Sequence, residues 1–157
     1  MTVAEVRLWG RRVGAVSLED RRTYAAFQYD PAFARSGIQI SPIAMPLSDR
    51  VYTFPALPHG TFHGLPGLLA DSLPDAFGNA LVDAWLATQG RTPDSFNAVE
   101  RLCYTGTRGM GALEFAPALG PRPRKATTIR VDALLALVAD VWREQIRRML
   151  RLTIPKT

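Results

Sequence analysis

Residues 3–8, VAEVRL, and 12–19, RVGAVSLE, decide the fold class. Val6 and Leu8 alternate with charged neighbours, and Val16 and Leu18 alternate with Ser17 and Glu19. A period of two is the pattern of a half-buried strand, and only Val13-Gly14-Ala15 blurs it in the second segment. Trp9 and Gly10 fall at the turn between the two strands. Further along, residues 22–30 (RTYAAFQYD) read as a third strand carrying Tyr24, Phe27 and Tyr29, with Asp30-Pro31 as its stop. Residues 38–41 (IQIS) read as a fourth strand ending at Pro42, and Tyr52 to Phe54 as a short further one. Pro42, Pro46, Pro55 and Pro58 exclude a long helix here, because each ring removes an amide donor and restricts its predecessor.

From residue 62 the texture becomes helical. Ser72 is the expected N-cap of a helix from about residue 74 to Thr88, with Pro74 in its first turn and Asp75 favouring the positive end of its dipole. Leu81, Val82, Trp85 and Leu86 form its expected buried face, and Gly90 follows its end. A second helix is expected from Ser95 to Cys103, burying Phe96, Val99 and Leu102. The glycine-rich run 104–111 then enters a strand at Ala112-Leu113-Glu114-Phe115. The reading is an α+β fold: a small strand-rich antiparallel sheet or partial barrel with two or three helices, plus a C-terminal amphipathic helix. The expected domains are a module at 1–116, a Pro/Arg-rich linker at 117–128, and a basic amphipathic helix and tail at 129–157. In that helix Leu135, Val138, Trp142, Ile146 and Met149 share one stripe.

Composition narrows the function classes. Apolar residues make up 47% and charged residues 21% of the chain, which is globular and argues against wholesale disorder. No apolar run reaches the ~18 residues of a membrane-spanning helix. Glu5, Arg7, Arg11 and Arg12 interrupt any signal-peptide core, so a cytoplasmic protein is expected. The lone Cys103 excludes an internal disulfide and a cysteine-based zinc cluster, and two histidines exclude a three-histidine metal site. The formal charge of +5 suggests nucleic acid, but its distribution does not. The basic excess lies wholly in residues 121–157, and residues 1–120 carry one more acidic than basic side chain.

The candidate chemistry is sparse. Glycines 106, 109 and 111 with Arg108 could cradle a phosphate, yet the P-loop spacing and its Lys-Ser/Thr are missing and a strand follows. A structural turn with positive-φ glycines is the better reading. His59 and His63 stand among Pro58, Gly60, Gly64 and Pro66, which makes a helical metal pair improbable. Asp71 and Asp75 could do acid–base work, but both fit helix N-terminal stabilisation, and capping is the favoured reading. The basic helix 132–151 could meet a membrane surface, an acidic partner or a nucleic acid, and packing on a protein is preferred.

The segments VRLWGRRVGAV, FQYD, SPIAMPL, FHGLPGLLADSLPDAFGNAL and YTGTRGMGALEF, in that order, resemble the N-terminal module of HipA-type serine/threonine kinase toxins of type II toxin–antitoxin systems. Leu73-Pro74-Asp75 with Phe77-Gly78, and Gly109 with Gly111-Ala112-Leu113, are its most specific parts. The resemblance implies a non-catalytic module that contacts a HipA-like kinase core or a DNA-binding antitoxin protein and takes part in self-association. In some tripartite systems of the family, a separate protein equivalent to this module is the antitoxin of a shortened kinase. The kinase core binds ATP and magnesium, but its glycine-rich loop, lysine and catalytic aspartates have no counterpart after residue 126. The chain is therefore expected to be truncated relative to the full toxin. No catalytic, cofactor or metal residue is assigned, and Phe62, Leu65, Leu68 and Leu73 are the candidate partner-contact residues. The alternatives are a stand-alone antitoxin for a separate kinase chain and, from another class, a small nucleic-acid-binding protein using the basic C-terminal helix.

Overall fold

The computed structural model describes residues 1–121; most of the expected linker, the basic helix and the tail lie outside the described residues. β1 (Thr2–Leu8) and β2 (Arg11–Leu18) form the hairpin that the opening alternation predicts. Its tip holds Trp9 at φ +48° and Gly10 at φ +77°. Positive φ at both central residues suits the right-handed twist of a tight hairpin. Val6 pairs with Gly14 and Arg7 with Arg12, so Val13 is an extra residue in β2. That bulge breaks the alternation: Val13 turns wholly into the core and the period resumes at Ala15 and Val16.

β3 (Ala26–Tyr29) pairs with β2, β4 (Val51–Thr53) with β3, and β5 (Leu113–Ala116) with β1, all antiparallel. The order β4-β3-β2-β1-β5 makes an open sheet edged by β4 and β5, and not a closed barrel. Residues 38–41 are not a strand, in contrast to the sequence expectation. β4 already occupies the free edge of β3, through Ala26 with Thr53 and Gln28 with Val51. β3 is also shorter than expected, because Ala25 donates to the Gly64 carbonyl at 2.7 Å instead of joining the ladder. Asp30-Pro31 ends β3 by starting α1 (Pro31–Ala34), the Asp30 carboxylate accepting from the Ala32 amide at 2.8 Å.

One face of the sheet carries the core. Val6, Val13, Val16, Phe27 and Phe115 meet Phe33, Met45, Leu65 and Leu69 from the covering segments. The proline-rich stretch is anchored by the two tyrosines beneath it. The Tyr29 hydroxyl donates to the Met45 carbonyl at 2.7 Å, and the Tyr52 hydroxyl donates to the Pro46 carbonyl. On the open face Glu5 lies between Arg7 and Arg12, at 2.6 and 2.8 Å, and these guanidiniums, Arg12 foremost, hold its carboxyl below the usual range.

Four further helices complete the fold. α2 (His59–Phe62) and α3 (Gly67–Ala70) are single turns that start just after Pro58 and Pro66. α5 (Ala98–Thr105) begins in a capping box, where Asn97 accepts from the Glu100 amide at 3.0 Å and Glu100 accepts from the Asn97 amide at 2.9 Å. It lays Val99, Leu102 and Cys103 on the main core. α4 (Ala76–Thr88) stands apart from that core: Val82 and Leu86 pack on Phe96 in a second, smaller cluster with Trp85 and Tyr104. A ladder of rings and guanidiniums runs through it. Arg91 lies 5.0 Å from the Phe96 ring, Trp85 is 5.9 Å from Phe96 and 5.1 Å from Tyr104, and Arg108 closes the series at 5.0 Å over Tyr104. Arg101 adds a polar tie from α5, donating to Asn79 Oδ1 at 2.8 Å and facing Asp83 at 3.4 Å. Among the described residues no helix is long and apolar enough to cross a membrane.

Two outcomes are expected. A Cβ at Gly14 would run into the Gln28 carbonyl oxygen across the strand pair. Gly14→Ala should therefore cost about 3 kcal/mol in urea denaturation, and an unchanged midpoint would contradict the bulge geometry. Burial, with Glu100 adding to it, pushes the Cys103 thiol up to about 11, and burial with Tyr52 pushes the Tyr29 phenol up to about 12. Both are neutral in the fold and ionise more readily in the unfolded chain. Their contribution is complete at neutral pH and is lost as pH rises, from about 8.5 for the thiol and about 10 for the phenol. Denaturant midpoints should fall between about pH 8.5 and 12, and Cys103→Ala should delay the onset toward about pH 10.

Candidate contact site: an apolar cleft beside the glycine-rich loop

The start of α4 is built by local hydrogen bonds. Asp75 is its N-cap, accepting from the Gly78 amide at 2.7 Å, and Asn79 donates back to the Pro74 carbonyl at 2.9 Å. Ser72 therefore does not cap the helix. The turn Ala70–Leu73 follows α3, and the chain is still extended at Asp75, so the helix begins after it and its first free amides fall within reach of the Asp75 carboxylate. Gly78 lies so close to Pro74 that a Cβ there would come within 2.8 Å of the ring.

The glycine-rich run forms the opposite wall. Gly106 ends α5 at φ +57°, donates to the Leu102 carbonyl at 2.9 Å and accepts from the Phe115 amide at 3.1 Å. Of the three glycines at 106, 109 and 111, Gly106 alone has positive φ. Arg108 folds back onto the Tyr104 carbonyl and ring. The amide of Gly106 and the Arg108 guanidinium are thus already engaged, and a strand follows the run.

Between these walls lies a cleft of about 390 Å³. Leu73, Pro74, Gly78 and Leu113 lie within it, and Phe77, Leu81 and Met110 stand on its rim. Phe77 is 72% and Leu81 50% exposed, and Met110 is fully exposed. Asp71 and Asp75 are its two carboxylates, both exposed. The residues that carry the resemblance most specifically, Leu73-Pro74-Asp75 and Phe77-Gly78 on one side and Gly109, Gly111 and Leu113 on the other, are distant in sequence, yet they meet in this cleft.

The sequence-based contact residues are scattered by the fold. Leu65 is 1% exposed and belongs to the core. Phe62 is half-buried, Leu68 is half-buried against the core, and Leu73 of the four reaches the cleft. Phe77, Leu81 and Met110 were not among the expected contact residues, and Leu81 sits on the outer face of α4 instead of the buried one. The signal for Phe77 and Leu81 was the width of the apolar pattern in AFGNALVDAWLAT, which is too broad for one buried stripe.

A second cavity, about 570 Å³, has a mixed lining in which His59, His63, Asn79, Asp83 and Arg101 stand beside Leu18 and Phe96. Its arginines are already paired, Arg101 with Asp83 and Arg22 with Glu19, and the His59 and His63 rings lie 6.2 Å apart on an exposed turn. Among the described residues no group of three metal-ligating side chains is present. Cys103 is buried in the core and both histidines are exposed, so they form no nucleophile–base pair.

No curated protein is detectably similar to the chain in sequence. A family model, the HipA N-terminal domain, matches residues 4–116, from the second residue of β1 beyond Thr2 to the end of β5. By that match, which spans both walls of the cleft, the chain belongs to the HipA N-terminal domain family.

Proposed function

We propose that the chain is a non-catalytic module that works by protein–protein contact with a HipA-like kinase core or a DNA-binding antitoxin. The observation that carries the reading is the cleft, where the family's most specific residues converge beside Phe77, Leu81 and Met110. Exposed aromatic and aliphatic anchors around a shaped apolar depression are the ingredients of an interface hot spot. Among the described residues every buried side-chain polar atom has a hydrogen-bond partner. A stand-alone antitoxin that inhibits a separate kinase chain uses the same surface, and self-association competes for it. The nucleic-acid alternative rests on residues outside the described ones.

Two experiments test this. Tagged chain should capture a HipA-type kinase or antitoxin co-expressed from the neighbouring reading frame, and Phe77→Asp with Leu81→Asp should reduce capture at least about tenfold. Capture indifferent to those changes would place the contact elsewhere. If the partner is a kinase, lowered autophosphorylation in the presence of the chain selects the antitoxin version. The isolated chain should transfer no phosphoryl group from ATP with magnesium above the blank. Transfer abolished by a single substitution in the chain would falsify the non-catalytic reading.

A further inference from the structure

α4 has two apolar faces. Val82 and Leu86 face the smaller cluster, whereas Phe77, Ala80, Leu81, Ala84 and Ala87 are exposed. Its one charged residue, Asp83, is engaged by Arg101. A helix that faces water normally carries charge on its outer side, and a helix apolar all round is normally buried. Phe77 and Leu81 are four apart and form a ridge along the rim of the cleft, with small alanines beside it. A ridge of that spacing is what a second helix packs against.

The free charge at this face is negative. Asp71 and Asp75 are exposed at the N-terminal end of α4, and Asp75 uses one oxygen on the Gly78 amide. Arg108, the cleft's one cation among the described residues, is turned onto Tyr104. An anionic lipid surface is therefore repelled, and α4 has none of the Lys or Arg that membrane-surface helices carry. A second copy brings no free cation from this face to meet the carboxylates.

Resting on the contact function proposed above, we propose that this face docks a basic amphipathic helix of a partner protein. The partner's apolar stripe lies along Phe77 and Leu81 into the cleft, and its Lys or Arg residues meet Asp71 and Asp75.

The test uses the full chain and a fluorescein-labelled synthetic peptide of about 18 residues, five helical turns, with Leu at three- and four-residue steps and Lys elsewhere. A counterpart carries Glu for each Lys. Anisotropy should show the Lys peptide binding at least about tenfold tighter than the Glu peptide. Phe77→Ala with Leu81→Ala should weaken the Lys peptide at least about tenfold. Both positions are exposed and alanine favours helix, so the fold is kept, as circular dichroism will verify. Asp71→Asn with Asp75→Asn retains an N-cap and should remove most of the preference between the peptides. Equal binding of both peptides, Lys-peptide affinity untouched by the alanine pair, or no binding at all overturns the proposal. So does a dimer in sedimentation velocity that the alanine pair dissolves, since a second copy then covers the face. If capture of the co-expressed partner depends on Phe77 and Leu81 while the peptides fail, the contact function stands and the helical, basic occupant is wrong. If the Lys peptide binds as expected but no HipA-type partner is captured, the contact function fails instead.

Discussion

The rest of the module depends on β1 being paired on both sides. β2 follows it directly, whereas β5 arrives from the other end of the matched region and aligns Leu8 with Leu113 and Glu5 with Ala116. That second pairing fixes where α5 must lie, across β1, and where the glycine-rich run must leave it. The Gly10 amide bonded to Glu114 at 3.0 Å locks the hairpin tip to the same strand. One wall of the cleft is therefore set by the sheet. The other wall, the start of α4, reaches its place through the ring-and-guanidinium ladder and the Arg101 ties. These two attachments differ in character: the first is a hydrogen-bonded ladder over the main core, the second a small buried cluster of Val82, Leu86 and Phe96 flanked by half-exposed stacking and ion contacts. Isolated exposed contacts of the latter kind contribute modestly, so α4 depends on several of them together.

Much of the sheet was legible in the sequence because alternation reports burial on one face directly. The hairpin, β4 and β5 all carry it. The blur at Val13-Gly14-Ala15 was itself informative, since a bulge is the one common device that shifts the period while keeping a strand. Residues 38–41 were misleading for a different reason. Ile38 and Ile40 have strand-like spacing, but a strand also needs a partner edge, and the edge of β3 is taken by β4, which lies further along the chain. Helix α5 was legible in its buried residues Val99 and Leu102, although its cap lies at Asn97 and leaves Phe96 before it.

The contact site was less legible. Single-helix patterning separates inside from outside only when the outside is polar, and α4 breaks that premise. Leu81 reads as buried from composition, and its exposure follows from how few elements pack on α4. Leu65 shows the converse, an apolar residue in a turn that the fold withdraws completely. What the sequence did carry was the pair of short glycine- and proline-containing motifs, whose shared purpose is geometric. Gly78 permits the close turn at Pro74, and Gly106 permits the reversal out of α5, so both walls of the cleft rest on residues chosen for having no side chain.

The β1–β5 pairing also sets a timetable. A ribosome delivers about 5–20 residues per second, so roughly 100 residues separate the emergence of β1 from that of β5 by about 5 to 20 seconds. The hairpin forms within microseconds of its own emergence, but β1 then waits with one edge bare until the closing strand arrives. Closing so long a loop adds little to the equilibrium cost, because that cost grows only logarithmically with length. Its burden is kinetic: the nascent chain exposes an unsatisfied strand edge and an uncovered α5-binding surface for the whole interval. A module whose last strand completes its first is one that a chaperone or a co-translational partner meets before it is finished.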